Sequence, residues 1–193
     1  MSYDDVRTGD LAAVVTFLEM REKAQQDVPP SPLSLRRIEK PQTDAYRALF
    51  KRVGSPWLWF SRLVMDDPTL AAIIQHPDVD LYAVVDKAGR EVGILELDFR
   101  ESGEGELSFV GLFPELSGQG HGRWLLAEAV RLAWRDGVER VHVHTCTLDH
   151  PAALSAYRRA GFLAYRRAIE HFPDPRLNGI LPRDCAPQIP LIG

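Results

Sequence analysis

Three glycines fall within five residues, at Gly118, Gly120 and Gly122, in the run LFPELSGQGHGRWLL. A glycine-rich turn leading from a strand into a helix presents successive backbone N–H groups inward, and the helix N-terminus adds partial positive charge. Such a turn cradles a phosphate or pyrophosphate. Spacing excludes two common nucleotide loops. A Walker loop needs Gly-Lys-Ser/Thr, but Gly122 is followed by Arg123 and Trp124. A dinucleotide fingerprint begun at Gly118 needs glycine at 123, which is Arg123; begun at Gly120 it needs a small residue at 125, which is Leu125. The plain alternative is a tight turn before a helix.

A second group with chemical potential is His142, His144 and Cys146, which alternate on one side of a strand-like run, with His150 nearby. Zinc accepts such ligands, but structural zinc sites use clustered turn residues and no CxxC or HExxH spacing occurs, so no metal is expected. Core or cleft-lining histidines are the simpler reading. Cys146 has no neighbour in sequence that would activate its thiol, so a covalent acyl-enzyme is not expected.

The elements that must position these groups follow from hydrophobic period and punctuation. Residues 12–21 and 33–39 read as strands, separated by a stiff segment with Pro29, Pro30 and Pro32. TDAYRALFKRV has helical spacing, with Thr43 or Asp44 as cap and Gly54 as stop. SPWLWFSRLVMDDPTLAAIIQ holds two helical pieces divided near Asp66 to Pro68. Residues 80–87 and 91–99 form a hairpin, and 103–113 a further strand ended by Pro114. The run GRWLLAEAVRLAWRDG is the clearest helix, with Trp124, Leu125, Ala129, Leu132 and Ala133 on one face and Gly137 closing it. A strand VERVHVHTCT, a helix PAALSAYRRAG with Pro151 in its first turn and Gly161 at its end, and a strand FLAYRRAIEHF complete a mixed α/β layer. A proline-rich tail is expected to wrap the surface.

Two segments in this order resemble the GCN5-related N-acetyltransferases. LFPELSGQGHGRWLL is similar to that family's acyl-CoA loop, Arg/Gln-x-x-Gly-x-Gly/Ala after a strand and proline. HPAALSAYRRAGF is similar to its Asn-x-x-Ala-x-x-x-Tyr-x-x-x-Gly-Phe helix, matching at Ala153, Tyr157, Gly161 and Phe162. Ser117 stands where Arg or Gln is usual and His150 where Asn is usual. The resemblance spans roughly residues 34–172.

It implies an α+β fold, a mixed, mostly antiparallel twisted sheet flanked by helices, here with an extra N-terminal strand. It also implies acetyl transfer from acetyl-CoA, as cosubstrate, to a primary amine by direct attack in a ternary complex. An alkyl ammonium, with a pKa of about 10.4, must first lose a proton to a carboxylate or histidine, directly or through water. Glu106 lies where some members keep a general-base glutamate, and Asp98 on the neighbouring strand is a second candidate; in the polar run GEGE, Glu106 would equally well be merely solvated. Family precedent sets Tyr157 near the thioester sulfur, to protonate or stabilise the departing thiolate, against the alternative of a core tyrosine bonded to backbone. Main-chain groups of Val110 and Leu112 would pair with the pantetheine arm. Gly118, Gln119, Gly120, His121, Gly122 and Arg123 would surround the pyrophosphate, with Arg158 or Arg159 reaching the 3′-phosphate. Trp57, Trp59 and Phe60 lie where the family walls its acceptor cleft, or else pack in a core. The alternative function is an acyl-CoA-binding or sensing module without catalysis, which Ser117 keeps open.

Composition narrows the partners. The 193 residues, 45% hydrophobic and 26% charged, suit one domain, 1–193, divided into an N-terminal strand and linker (1–33), a core (34–172) and a tail (173–193). A net charge of −4 argues against a broad nucleic-acid-binding face. No apolar run approaches the roughly 20 residues that span a bilayer, and Asp4 and Asp5 are foreign to a signal peptide, so no membrane partner is expected. With two cysteines, a reducing cytoplasm is the expected location. A spare N-terminal strand and a long tail would be free to pair across a homodimer.

Overall fold

A computed structural model describes residues 3–24 and 27–193; the linker is therefore followed from Asp27 onward, and residues 1, 2, 25 and 26 of the 1–33 segment lie outside the described residues. The elements are β1 (Asp10–Met20), β2 (Ser34–Arg37), α1 (Thr43–Gly54), α2 (Asp67–Ile74), β3 (Val79–Val85), β4 (Glu91–Asp98), β5 (Glu104–Leu112), α3 (His121–Ala133), β6 (Arg140–Cys146), α4 (Ala153–Arg159) and β7 (Leu163–Pro173). The strands form one sheet in the order β2-β3-β4-β5-β6-β1-β7. The β5–β6 pair is parallel, and every other pairing among the described residues is antiparallel. This is the mixed, mostly antiparallel sheet with flanking helices that the sequence suggested.

Each face of the sheet carries its own apolar layer. On one, Trp124, Leu125, Ala129 and Ala133 of α3 pack with Leu97, Leu107, Val141, Val143 and Phe162. On the other, Tyr46, Phe50 and Val53 of α1 and Leu70 and Ile74 of α2 pack with Leu81, Ala83 and Ile94. Burying each large apolar side chain contributes about 1.5–3 kcal/mol, so these two layers fix the sheet that carries the site. Among the described residues no helix is long and apolar enough to cross a membrane.

Several local expectations are revised. The N-terminal strand is not spare: β1 lies between β6 and β7, with Val15 opposite both Cys146 and Ala168. Its apolar residues occupy both faces, Ala13 and Val15 on one and Leu18 and Met20 on the other, all buried, which suits an inner strand and not an edge. The N-cap of α1 is Gln42 and makes no side-chain cap bond, so neither Thr43 nor Asp44 caps it. Gly54 does not stop α1 through a left-handed turn; the chain passes on into a 3-10 turn, Ser55–Trp57, and Leu58 takes the left-handed conformation. The first of the two helical pieces in 55–75 is this short turn alone. Helix α3 ends at Ala133, before Gly137, and α4 begins at Ala153, after Pro151. The tail is more than a surface wrap: Leu181 and Ala186 are buried against Leu58, and Arg176 is buried on Asp174 at 2.7 Å.

Candidate active site

Strands β5 and β6 are paired over Glu104–Glu106 against Arg140–His142 and then part. Beyond Glu106, the side of β5 that faces β6 has no strand neighbour among the described residues. A cavity of about 1370 Å³ opens at this parting, reached by β5, the glycine loop, α4 and the aromatic loop after α1. Val110 and Leu112 line it, leaving a strand edge for an extended ligand to pair with.

The glycine loop forms one end. Gly118 and Gly120 have φ of +76° and +81°, and Gly120 is the N-cap of the thirteen-residue α3. A Cβ built on Gly118, Gly120 or Gly122 meets no atom within 4 Å, so the loop backbone faces open space beside a helix N-terminus. That is the cradle a pyrophosphate requires, and the residues present fit it. Gly118, Gly120, Gly122 and Arg123 line the cavity, whereas Gln119 and His121 do not. The Gln119 amide instead donates to the Glu115 carbonyl at 2.9 Å. Arg159 lines the cavity; Arg158 faces a separate groove beside β7. The two departures from the family pattern touch one another, with Ser117 Oγ 3.2 Å from His150 Nε2 and the Trp57 ring 5.0 Å from that imidazole.

Tyr157 reaches the cavity from α4, packed edge-on against Phe162. Among the described residues its hydroxyl makes no hydrogen bond, and burial, with the Asp149 charge, pushes its pKa well above the ordinary tyrosine value. Cys146 also lines the cavity, but burial pushes its thiol up to about 11, which keeps it protonated and poorly nucleophilic.

The far end of the cavity is polar. Glu106 on β5 and His144 on β6 both line it, with Nδ1 of the imidazole 3.5 Å from Glu106 Oε1. The His144 contact, aided by the charges of His142 and His144 and opposed by burial, holds the Glu106 carboxyl below its ordinary range. Reciprocally, Glu106 raises His144 against the effect of burial. His142 is engaged by Glu104 at 3.3 Å, so each histidine has a carboxylate partner. Asp98 lines the cavity but is clamped by Arg100 at 2.6 Å; burial raises its pKa, and the Arg100 hydrogen bonds together outweigh this and hold it low.

Several site residues were not singled out in the sequence. Glu96, fully buried on β4, accepts from Tyr46 and from Arg62 at 2.6 Å; the Arg62 guanidinium lines the cavity and stands 5.2 Å from the Phe109 ring. Asp149 accepts from Trp59 Nε1 at 3.0 Å and from Thr145 Oγ1 and Cys146 N at 2.8 Å, tying the aromatic loop to the end of β6. Glu170 and Phe172 enter from β7. The one sequence signal was Asp149 itself, a turn-forming residue just past a strand. Trp57, Trp59 and Phe60 all line the cavity, the last packed on Phe172 at 5.1 Å.

Residues 43–162 match the family model described as the acetyltransferase (GNAT) family. Comparison with curated proteins gives no match. Among solved structures, a GCN5-related N-acetyltransferase from Sphaerobacter thermophilus is similar over 86% of this chain and 52% of that one, at 18% identity and a TM-score of 0.64. This chain thus spans about half the length of that protein. A spermidine N-acetyltransferase from Vibrio cholerae, in complex with CoA and spermine, is similar over 75% of this chain and 97% of that one (17% identity, TM-score 0.57). An aminoglycoside acetyltransferase from an uncultured soil metagenomic sample, in complex with sisomicin, is similar over 72% and 93% (15% identity, TM-score 0.56). At these identities the likeness is one of fold.

Proposed function

We propose, from the premise that this chain belongs to the GNAT acetyltransferase family, that it transfers an acetyl group from acetyl-CoA to a cationic primary amine by direct attack in a ternary complex. The observation that carries this reading is the parting of β5 from β6 beside the glycine loop, which leaves both a strand edge and an anion cradle in one cavity. Main-chain groups of Val110 and Leu112 then receive the pantetheine arm, and Gly118, Gly120, Gly122 and Arg123 receive the pyrophosphate. Gln119 and His121 contribute backbone to the turn. Residues 1–193 act as one acyltransferase domain, with strands from both ends of the chain in one sheet, and acetyl-CoA as cosubstrate suits a cytoplasmic reaction.

The amine lies at the polar end. Glu106, Asp149 and Glu170 line that region and, among the described residues, none is paired with an arginine or lysine, whereas Asp98 is neutralised by Arg100 and Glu96 by Arg62. The surplus negative charge favours a cationic acceptor. The aminoglycoside and spermidine acetyltransferases of similar fold support an amine of this kind.

Before attack the ammonium gives up a proton. Glu106, held below its ordinary range, keeps that proton less well than His144, which the Glu106 contact raises, so His144 is the better resting place. The pair therefore works together: Glu106 orients and His144 holds. The second proton, released as the amide forms, ends on the CoA sulfur. Tyr157, held protonated by burial, stabilises the departing thiolate by donating a hydrogen bond. The test is CoA release measured across a panel of polyamines, aminoglycosides and amino acids. Release with cationic amines supports the reading. Thermal stabilisation by ATP or NAD but not by acetyl-CoA sinks it.

A further inference from the structure

We propose that β7 pairs antiparallel with β7 of a second copy of this chain, about a two-fold axis at Ala168, so that two sheets continue as one. The pairing does not depend on the reaction assigned to the cleft. Strand β7 is eleven residues long, with β1 on one side and no strand on the other among the described residues. One row of its backbone N–H and C=O groups is unpaired, a template that folded proteins normally blunt. The strand carries the charges of Arg166, Arg167 and Glu170, but exposed apolar residues stand among them: Ile169 is 65% exposed, Leu163 74% and Val14 42%, with Val14 directly opposite Ile169 in the β1–β7 ladder. Beside them runs a groove of about 380 Å³ lined by Leu154, Arg158, Leu163 and Arg167.

Charge selects the occupant and the register. Directly opposed residues of antiparallel strands share a sheet face, so a two-fold perpendicular to the sheet passes between two copies of the same residue. Centres at Arg166, Arg167 or Glu170 set like charges against each other. A centre at Ile169 leaves Glu170 facing Ala168 and forms no ion pair. A centre at Ala168 sets Arg166 opposite Glu170 of the partner subunit twice over, the small Ala168 against itself, and Ile169 against the aliphatic stem of Arg167 of the partner subunit. The strand is thus self-complementary about one residue. This register uses the regular part of β7, beyond the irregularity where β1 passes from Phe17 to Leu18. Arg166 and Glu170 share the face of the sheet that bears the cleft, and Glu170 lines the cavity, so the pairing engages Glu170 at the rim and leaves Glu106 and Asp149 as the acidic surplus of the acceptor end.

Sedimentation velocity on the full chain tests the interface, with disulfide trapping for its register. The wild type is expected at twice the mass of one chain. Ala168→Cys should oxidise to an interchain dimer, because opposed Cα atoms at about 4.5–5.5 Å fall within disulfide reach. Ile169→Cys, offset by two residues from its own copy, should not. Arg166→Glu should weaken the dimer about tenfold or more, and Arg166→Glu with Glu170→Arg should restore it, which separates lost pairing from lost folding. A monomeric wild type, trapping at 169 in place of 168, or failure of the double reversal to restore a folded dimer would each overturn the proposal.

Discussion

At the scale of single residues, the proposed function assigns the chemistry to Tyr157 and the Glu106–His144 pair. Burial keeps the Tyr157 hydroxyl protonated, and the role proposed for it is a hydrogen bond to developing negative charge, worth about 1.5–3 kcal/mol. Tyr157→Phe should therefore lower kcat about 10- to 100-fold while leaving the Kd for acetyl-CoA unchanged, as steady-state kinetics and calorimetry would report. Equal turnover in both proteins would remove Tyr157 from the account. The pH dependence has a definite sign. His144 is raised by Glu106, so its imidazole stays charged to a higher pH than usual and becomes a competent base only as pH rises through that raised value. Log kcat/KM should climb with a midpoint above about 6.5, the ordinary histidine value. Glu106→Gln should move that midpoint down, since the carboxylate is the largest cause of the shift. The stabilising part of the pair is lost in the opposite sense at each end: as pH rises through the His144 value, and as it falls through the lowered Glu106 value. The residues legible in the sequence were those set in local motifs, Tyr157 and the glycines. Arg62 with Glu96, Tyr46 with Glu96 and Trp59 with Asp149 are separated by 34, 50 and 90 residues, and no local pattern announces such pairs.

The loop after α1 shows how one element positions the site. A Cβ on Gly54 would lie 2.4 Å from Trp59 Cβ, and one on Gly111 would lie 2.5 Å from Val53 Cγ1, so the α1 end, the aromatic loop and β5 close against each other only through glycine. In an exposed helix Gly→Ala gains about 1 kcal/mol. At Gly54 the clash is with the root of a side chain and should reverse the sign. Gly54→Ala is expected to destabilise by about 1–2 kcal/mol net and to raise the acceptor KM by displacing Trp57 and Trp59, with acetyl-CoA affinity retained. Denaturant unfolding and substrate titration check both halves. The sequence marked Gly54 as a boundary but not its reason, because the packing of Trp59 on a helix end is tertiary. It likewise marked β1 as a strand but not its place: alternation identifies an extended segment, while the choice between edge and interior rests on what covers each face.

For the whole molecule, element order suggested only a mixed α/β layer, and it was the resemblance of the glycine turn and the tyrosine helix to the GNAT family that implied the sheet that holds them. The net charge of −4 coexists with a basic cradle at one end of the cavity and an acidic surplus at the other, an arrangement suited to a phosphate-bearing donor and a cationic acceptor. The cavity joins the two ends, and the proposed reaction brings both substrates together there without a covalent stage on Cys146, whose thiol is pushed to about 11. The most direct test is to quantify, in one reaction of the wild-type protein with acetyl-CoA and a cationic amine, both the CoA thiol and the acetylated amine. The account predicts equal amounts of the two, accumulating over many turnovers. Acetyl-CoA that binds, yet yields neither thiol nor amide with any amine tried, would contradict it and leave a binding module in place of an enzyme.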